Sequence, residues 1–369
     1  MTAEPLLRHV QMYDVARTAH FERALRSGAH TTILFASRRY DFDEVLARAV
    51  AARRAGVWGA FWYTLRNDVD VLETAEPLVA RAAPRTLAAV FGTRLRRLIG
   101  GPRTRVVAYA IENKDPWQGH ESLPLYARLK LRAQLGLLPL VWRQLDRIAY
   151  GTDQCAILYN SRFPAARRSH RRPEERTVAA LPAAEAVGGP RDAVVTFLGD
   201  FSHRKGFDHV RQAWPLVAAD RSDAKLVLMG KGGGVREAEG LAESLTSVRA
   251  VIDPDRDTLF AELAGTKVLV LPSQPRPRWR EQVGLPIVEG LGRGCIIVTT
   301  SETGLAGWLS ANGHYVISPP DDVDALAGAL LRALADPRSP ADVVAELPAV
   351  DGRVEAERWM LRAPEPATR

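Results

Sequence analysis

The sequence predicts an α/β protein of two domains, each built on a parallel β-sheet with flanking helices. The chain has 369 residues, more than one domain of about 150–200 residues accounts for. Its hydrophobic content of 46% and charged content of 25% are typical of a globular protein with a large core. Its second half alternates short β-branched runs with amphipathic helical patterns, which indicates βα units.

This alternation runs from about residue 192 onward. Six apolar runs predict strands: "AVVTFLG" (193–199), "KLVLMG" (225–230), "VRAVI" (248–252), "KVLVLPS" (267–273), "CIIVTT" (295–300) and "HYVIS" (314–318). Amphipathic patterns predict helices at 208–219, 236–245, 257–265, 286–294, 304–311 and 323–336. Because strands joined through helices lie parallel, we expect one parallel sheet with right-handed crossovers.

The first half shows a weaker pattern. Apolar runs predict strands at 31–37, 57–65, 105–111, 154–160 and 177–182, and helical patterns lie at 41–56 and 123–150. The stretch 164–192 becomes rich in Pro, Gly, Ala and charge, so an interdomain linker is expected toward its end. We therefore expect a first domain over 1–188, a second over 189–345, and a tail over 346–369. The tail contains a predicted helix, 354–363, which is expected to pack on one of the two domains, and the first domain is the candidate.

Cysteine usage and hydropathy indicate in which cellular compartment the protein is expected. Cys155 and Cys295, each at a predicted strand start, are the two cysteines of the chain, so a disulfide framework is excluded and a reducing cytoplasm is favoured. Residues 1–10 contain an acid and no apolar core of a signal peptide, and no window approaches 18 apolar residues. We expect a cytoplasmic protein, at most peripheral to a membrane.

The two halves of the chain differ in net charge. Residues 1–190 hold 29 Lys+Arg against 18 Asp+Glu, whereas residues 191–369 hold 21 against 25. The basic half could face an anionic membrane, a polyanionic acceptor or nucleic acid; general arginine richness is an equally good explanation. "RLRR" (94–97) and "RRSHRRPEER" (167–176) lack the interleaved aromatics of a stacking platform, so nucleic acid is not expected as a partner.

The segment 123–150 combines leucines with arginines and could lie on an anionic membrane to reach a lipid-linked acceptor. The alternative is that its leucines are core and its arginines form a solvated face. The sequence leaves both interpretations open.

Two acids, Glu281 and Glu289, flank Gly284-Leu285-Pro286 in an apolar run. Pro favours a first helical turn and Gly permits close approach, so a helix start here would present free amides to an anion. Arg204 and Lys205 follow one predicted strand, and could supply countercharge. A carboxylate beside a phosphate is favourable where it accepts hydrogen bonds from sugar hydroxyls. The alternative is two acids stabilised by the helix dipole alone.

Five segments, in order, carry a resemblance: "FLGDFSHRKGFDHVRQA", "KLVLMGKGGG", "KVLVLPS", "EQVGLPIVEGLGRGCIIVTT" and "PPDDVDALAGALLRALADP". Together they cover about 193–337 and resemble the nucleotide-binding half of the family 4 retaining glycosyltransferases. These enzymes have an E-x7-E signature and the GT-B fold, two Rossmann-like domains whose parallel sheets face a central cleft. The resemblance implies transfer of a sugar, with retained anomeric configuration, from a nucleotide-diphosphate sugar to a glycan or lipid-linked acceptor.

The resemblance also implies residue roles. Glu281 would bind the donor sugar's hydroxyls, Glu289 the ribose, and Lys205 the diphosphate. Amides near Gly284 and Leu285 would hold the phosphates. Arg204, Lys231 and Val251 complete the expected donor set.

This chain departs from the family pattern at several points. Asp200 stands where the family usually has arginine, which is why Arg204 is assigned to the diphosphate, and Val283 replaces an aromatic residue. The first half lacks the family's Gly-rich loop and the histidine after "RVVAYAI". Glu112 and Asn113 stand there instead, with His120 further on, and these three are the candidates to face the sugar or the acceptor.

The resemblance implies neither an obligatory cofactor nor a metal. A metal-dependent transferase is an alternative, because Asp-x-Asp pairs can ligate a divalent ion. Such pairs occur at Asp41/Asp43, Asp68/Asp70, Asp253/Asp255 and Asp322/Asp324, and chance is the favoured explanation for them. A further alternative is a catalytically silent subunit that binds nucleotide sugar, which Asp200 and the missing histidine would suit.

Overall fold

The computed structural model describes residues 7–26, 30–39, 42–164 and 172–363. Asp41 and the first half of the basic stretch 167–176 lie outside the described residues. The chain divides into two compact units. The first comprises Met1–Gly151, Cys155–Val178 and Val354–Arg369, and the second comprises Thr152–Gln154 and Ala179–Arg353. Each unit contains one parallel sheet, as predicted.

The first unit is built on a seven-stranded sheet of order β3-β2-β1-β4-β5-β6-β7. Its strands are β1 Arg8–Ala16, β2 His30–Arg38, β3 Arg53–Arg54, β4 Val71–Thr74, β5 Arg105–Ala110, β6 Arg147–Tyr150 and β7 Glu174–Thr177. All neighbours pair in parallel, with Met12 opposite Leu34 and Val107 opposite Arg147. The strand order reverses between β1 and β4, as in doubly wound sheets that bind ligands at the carboxyl ends of their strands.

Helices cover the faces of this sheet: α1 Thr18–Arg26, α2 Glu44–Ala49, α3 Val57–Arg66, α4 Ala83–Leu98, α5 Leu125–Trp142 and α6 Asp153–Arg162. A short 3-10 turn, Ala80–Ala82, precedes α4. Helices α3 and α4 pack closely, because the Thr64 hydroxyl donates to the Ala89 carbonyl at 2.9 Å and glycine stands opposite it. A Cβ added at Gly92 would lie 2.2 Å from the Thr64 Oγ1.

Several predictions for the first half were wrong. The runs 57–65 and 154–160, predicted as strands, are helices α3 and α6, so Cys155 lies inside a helix. Short aromatic-rich or apolar runs do not distinguish a buried strand from a helix. Strands β1 and β4 were missed, and β6 occupies the end of the predicted helix 123–150. The predicted strands 31–37 and 105–111 are present as β2 and β5.

The second unit is built on a six-stranded sheet of order β10-β9-β8-β11-β12-β13. Its strands are β8 Val194–Asp200, β9 Lys225–Lys231, β10 Val248–Ile252, β11 Val268–Leu271, β12 Ile296–Thr300 and β13 Tyr315–Ile317. Its helices are α7 Phe207–Asp220, α8 Val235–Ser244, α9 Arg256–Gly265, α10 Leu285–Leu291, α11 Ala306–Ala311, α12 Val323–Ala335 and α13 Pro340–Ala345. Phe197 on β8 pairs with Leu228 and Val270 on its two neighbours, and all three are fully buried. The alternation predicted for this half is confirmed.

The last helix, α14 (Gly352–Leu361), packs on the sheet of the first unit. Its Ala356 and Met360 form a buried cluster with Val71, Val107 and Ala149. Nearby, the His9 ring lies between two carboxylates of the first unit. Its Nε2 is 3.3 Å from Glu73 Oε2, and its Nδ1 is 3.8 Å from Glu357 Oε1. Apolar packing and this polar contact together hold the helix on the sheet.

Among the described residues, no helix combines the length and apolar character needed to cross a bilayer.

Candidate active site

The carboxyl end of β8 is followed by a tight turn that fixes the position of Lys205. A 3-10 turn spans His203–Lys205, and Gly206 adopts a left-handed conformation with φ 75° before α7 begins. A Cβ added at Gly206 would lie 2.0 Å from the Pro272 carbonyl oxygen. Gly206 is therefore required by close packing, because only glycine fits both the φ angle and the space.

The Lys205 ammonium forms an ion pair with the Glu281 carboxylate, 76 positions later in the chain. The same carboxylate accepts a hydrogen bond from the Ser273 hydroxyl at 3.1 Å. The Lys205 and Glu281 side chains are 12% and 11% exposed. Glu281 lies before α10 and pairs as an isolated parallel bridge with Thr303, which anchors its backbone. The second unit thus brings together two residues that were assigned from separate motifs.

Trp279 covers the two cations of this loop. Its ring centroid lies 5.1 Å from the Arg204 guanidinium carbon and 5.4 Å from the Lys205 Nζ. The Arg204 guanidinium also donates to Asp200 at 3.2 Å. Asp200, which stands where the family usually has arginine, therefore anchors Arg204, the residue assigned to the diphosphate instead. Trp279 and Ser273 were not predicted; nothing local in the sequence marks them, because their partners are distant in the chain.

Helix α10 begins at Leu285, and Gly284 directly before it has a left-handed φ of 79° and no side chain to cap the first amides. Leu285 is exposed at the first turn. The helix is only seven residues long, so its dipole is a smaller source of anion affinity than Lys205 and Arg204. Glu289, inside α10, is half-buried, and this burial, offset by the charge of Arg256, raises the pKa of its carboxyl to about 7.

Lys231 and Val251 lie at the neighbouring strands. Lys231 ends β9 opposite Asp200 of β8, and its ammonium donates to Asp253 at 2.7 Å. Val251 on β10 is half-buried and lies opposite Met229. Asp253 has a φ of 46°, an unusual conformation for a residue with a side chain. Arg204, Lys205 and Lys231 are thus each held by a carboxylate at the carboxyl edge of this sheet.

In the first unit, Glu112 and Asn113 follow the carboxyl end of β5. The backbone amides of Ile111 and Glu112 both donate to Glu76 Oε1, at 2.8 and 2.6 Å. Burial, and then the charge of Glu112, raise the pKa of Glu76 to about 8. Glu76 lies just after β4, a strand the sequence analysis missed, and it fixes the loop that carries the candidate residues. Asn113 is buried.

His120 contacts its own loop. Its Nε2 lies 2.6 Å from the Pro116 carbonyl oxygen. This contact, four positions away in sequence, restrains the ring locally.

The carboxylates weighed as metal ligands have other partners. His9, Glu73 and Glu357 have ligand atoms within 4.8 Å of one another. However, the Gln11 side-chain amide donates to both carboxylates, to Glu73 Oε2 at 3.1 Å and to Glu357 Oε1 at 3.4 Å, so each acid has a partner within the protein. At least one member of each Asp-x-Asp pair caps a helix or pairs with a cation: Asp43 caps α2, Asp68 and Asp70 bind Arg8, Asp253 binds Lys231, Asp255 caps α9, and Asp322 caps α12.

Comparison with known families finds a sequence likeness in the second unit. Residues 192–336 match the sequence model of the family described as "Glycosyl transferases group 1". A phosphatidyl-myo-inositol mannosyltransferase of Propionibacterium freudenreichii subsp. shermanii is 27% identical over 157 residues, which are 41% of this chain. The match spans 37% of that relative's length.

Solved structures resemble the whole chain in fold. WaaG, a glycosyltransferase involved in lipopolysaccharide biosynthesis, aligns with a TM-score of 0.59 and 13% identity over 97% of this chain and 100% of that one. The lipopolysaccharide outer core galactosyltransferase WaaB aligns with a TM-score of 0.67 and 10% identity over 96% and 98%. Anabaena HepE in complex with UDP aligns with a TM-score of 0.63 and 12% identity over 95% of each chain. The fold is therefore GT-B, two Rossmann-like units, and residues 192–336 are similar to the glycosyl transferases of group 1.

Proposed function

We propose that this protein is a retaining glycosyltransferase that uses a nucleotide-diphosphate sugar as donor. The observation that carries the proposal is the cluster of Lys205, Arg204 and Glu281 at the carboxyl edge of the second sheet. Two cations beside a carboxylate match a ligand that carries both phosphates and hydroxyls. The group 1 similarity over 192–336, and the UDP complex of HepE, support the same assignment.

The cluster suggests how the donor is bound. The donor diphosphate would take the Lys205 ammonium from Glu281, and the freed carboxylate oxygen would accept hydrogen bonds from sugar hydroxyls. Arg204, held by Asp200 and covered by Trp279, would supply the second positive charge. Both cations then stabilise the charge that develops on the leaving diphosphate. Glu289 would bind the ribose, and amides near Gly284 and Leu285 would donate to phosphate.

The mechanism we propose retains the anomeric configuration by attack on the face from which the leaving group departs. The glycosidic bond to the diphosphate breaks, the acceptor oxygen attacks from the same face, and the departing phosphate takes the acceptor's proton. Glu281 is a positioning residue in this mechanism and forms no covalent bond with the sugar. Because Lys205 and Arg204 neutralise the leaving group, no metal is required, and transfer should persist in excess chelator. Loss of activity in EDTA that Mg²⁺ restores would contradict this part.

The acceptor would be a glycan, a glycolipid or a lipid-linked intermediate, met by Glu112, Asn113 and His120 of the first unit. Helix α5 supports a lipid-linked acceptor, because Leu125 and Tyr126 near its start are exposed and Arg128 and Lys130 follow them. The alternative is a solvated helix with no membrane contact. Co-sedimentation with liposomes with and without anionic lipid distinguishes the two.

A thermal-shift screen across nucleoside diphosphates and their sugars tests the donor assignment, because a ligand that binds the folded state stabilises it by mass action. We expect one nucleotide to raise the melting temperature and its sugar to be transferred or hydrolysed. Binding without any turnover would favour a catalytically silent nucleotide-sugar-binding subunit. No shift with any nucleotide would refute the donor site.

A further inference from the structure

A second basic site lies in the first unit, at the edge of the sheet where strands begin. A cavity of about 210 Å³ is lined there by four arginines, and by Thr93, Thr104, Gln144 and Asp146 among others. The four arginines are Arg94, Arg97, Arg103 and Arg143. Arg94 and Arg97 belong to the end of α4, Arg103 to the loop that enters β5, and Arg143 to the end of α5. Two helices and one loop thus bring their cations to one cavity.

These arginines differ from their neighbour Arg96. Arg96 pairs with Asp68 at 2.9 Å and is half-buried. The four that line the cavity are all exposed, and no ion pair within the described ranges of the chain involves them. No carboxylate among the described residues therefore pairs with these four guanidinium groups.

The negative charge near the cavity does not balance its four arginines. The carboxyl ends of α4 and α5 each contribute about half a negative charge. Asp146 adds one more, and its carboxylate already accepts a hydrogen bond from the Val106 amide at 2.9 Å. Against roughly two negative charges stand four guanidinium groups, so the cavity keeps a clear positive excess.

We propose that this cavity binds a phosphate group of a ligand other than the sugar donor. Guanidinium groups present fixed pairs of N–H donors that match phosphate oxygens, and several can converge on one phosphate or pyrophosphate. The Thr93 and Thr104 hydroxyls donate to the Val90 and Val69 carbonyls, so their oxygens face the cavity as acceptors at most. The arginines therefore determine the preference for an anion.

The cavity is separate from the candidate acceptor residues. Glu112 and Asn113 follow the carboxyl end of β5, whereas Arg103 precedes its amino end. Six strand residues separate the two edges by about 17 Å. The cavity therefore lies at the opposite edge of the sheet from the residues proposed to meet the acceptor.

The phosphate could belong to a soluble metabolite or to a lipid headgroup. Leu98 and Ile99, directly after Arg97, are 81% and 66% exposed, and could enter a bilayer surface while the arginines hold a headgroup. The chemistry of recognition is the same for both sources, so the experiment has one arm for each.

Calorimetric titration of the full chain with inorganic pyrophosphate tests the site. The test variant is R94Q/R97Q, and the matched control is R23Q/R48Q, which removes two other arginines of the first unit. If the donor site also binds pyrophosphate, the wild-type protein should bind two equivalents per chain and R94Q/R97Q one. If the donor site does not bind pyrophosphate, the wild-type protein should bind one equivalent and R94Q/R97Q none. Either fall supports the site and separates it from the donor assignment. The count falls because R94Q/R97Q removes two charge-assisted contacts, each worth about tenfold in affinity or more, so the dissociation constant at this site rises about a hundredfold or more.

The second arm uses phosphatidylcholine vesicles with and without phosphatidic acid. Co-sedimentation that requires phosphatidic acid and is lost in R94Q/R97Q identifies a lipid headgroup as the source. Pyrophosphate binding without co-sedimentation identifies a soluble ligand. The proposal is overturned if R94Q/R97Q and R23Q/R48Q bind pyrophosphate and vesicles as the wild type does.

Discussion

Replacing Lys205 by methionine is the most direct test of the candidate active site. Methionine keeps the length and the apolar stem of the side chain but removes the ammonium that pairs with Glu281. If Lys205 neutralises the leaving diphosphate, its loss should reduce turnover by about 10²–10³-fold, the usual effect of removing one charge-stabilising donor. The Michaelis constant for the donor should rise as well, because the ground-state diphosphate loses the same contact.

The stability of the variant follows from the burial of the pair. Exposed ion pairs contribute about 0–1 kcal/mol, whereas breaking a buried pair costs about 3–5 kcal/mol. At 12% and 11% exposure the Lys205–Glu281 pair lies nearer the buried case, but Ser273 still donates to the remaining carboxylate at 3.1 Å. We therefore expect a loss of about 2 kcal/mol, or about 4–8 °C in melting temperature for a unit of this size.

The assay is release of nucleoside diphosphate under steady-state conditions, with circular dichroism to verify the fold. Lys225→Met is the matched control, because Lys225 is exposed at the start of β9, at the other edge of the same sheet. It should retain wild-type turnover and melting temperature. The reasoning is refuted if K205M is folded and turns over within about threefold of the wild type, since that corresponds to well under 1 kcal/mol of transition-state stabilisation.

Three further predictions concern other positions. The free energy of unfolding of E76A, measured in urea, should be about 2–4 kcal/mol lower than that of the wild type, because the Ile111 and Glu112 amides lose their acceptor. E76Q keeps one acceptor oxygen, so its free energy of unfolding should fall by less. An equal decrease in both variants would contradict this role of Glu76. G206A should be destabilised by more than about 2 kcal/mol by the clash with the Pro272 carbonyl and the positive φ, whereas G240A on α8, with open space around it, should be neutral or slightly stabilised. Glu289 binds its proton more tightly when folded, since its pKa is raised to about 7; the free energy of unfolding of the wild type should therefore fall by roughly 3 kcal/mol as pH rises from about 4.5 to 7, and E289Q should lack this slope. An unchanged slope in E289Q would place the titration elsewhere.

Elements of the second unit could be predicted because their periodicity is strong. The β8–β13 strands are short apolar runs between amphipathic helices, so length and pattern agree. In the first unit the same criteria failed for "VWGAFWYTL", where aromatic residues suggest a strand. The chain there forms α3, in which Thr64 and the Phe61 backbone fit closely against Gly92 of α4. Strand β4 has only four residues, and its Glu73 interrupts the apolar pattern.

The candidate site shows the same division. Gly206 and Gly284 each adopt a left-handed φ, a local backbone feature, so sequence motifs could mark them. The Trp279–Arg204 contact depends on loops that follow different strands, β8 and β11, whereas the Asp200–Arg204 contact lies within the segment at the end of β8. The role of Glu76 could not be predicted from the sequence either, because the amides that donate to it lie on the loop after β5.

The sequence by itself determined the parallel α/β architecture and the residue types at the carboxyl ends of the second unit's strands, because both follow from local periodicity and backbone geometry. The tertiary structure alone decided which charges meet. Lys205 finds Glu281 across 76 positions, and four arginines from two helices and a loop converge on one cavity while Arg96 pairs with Asp68. Electrostatic interaction falls with distance in space and is indifferent to separation along the chain. For the glutamates that flank Gly284-Leu285-Pro286, the partner of Glu281 therefore became visible only in the folded protein.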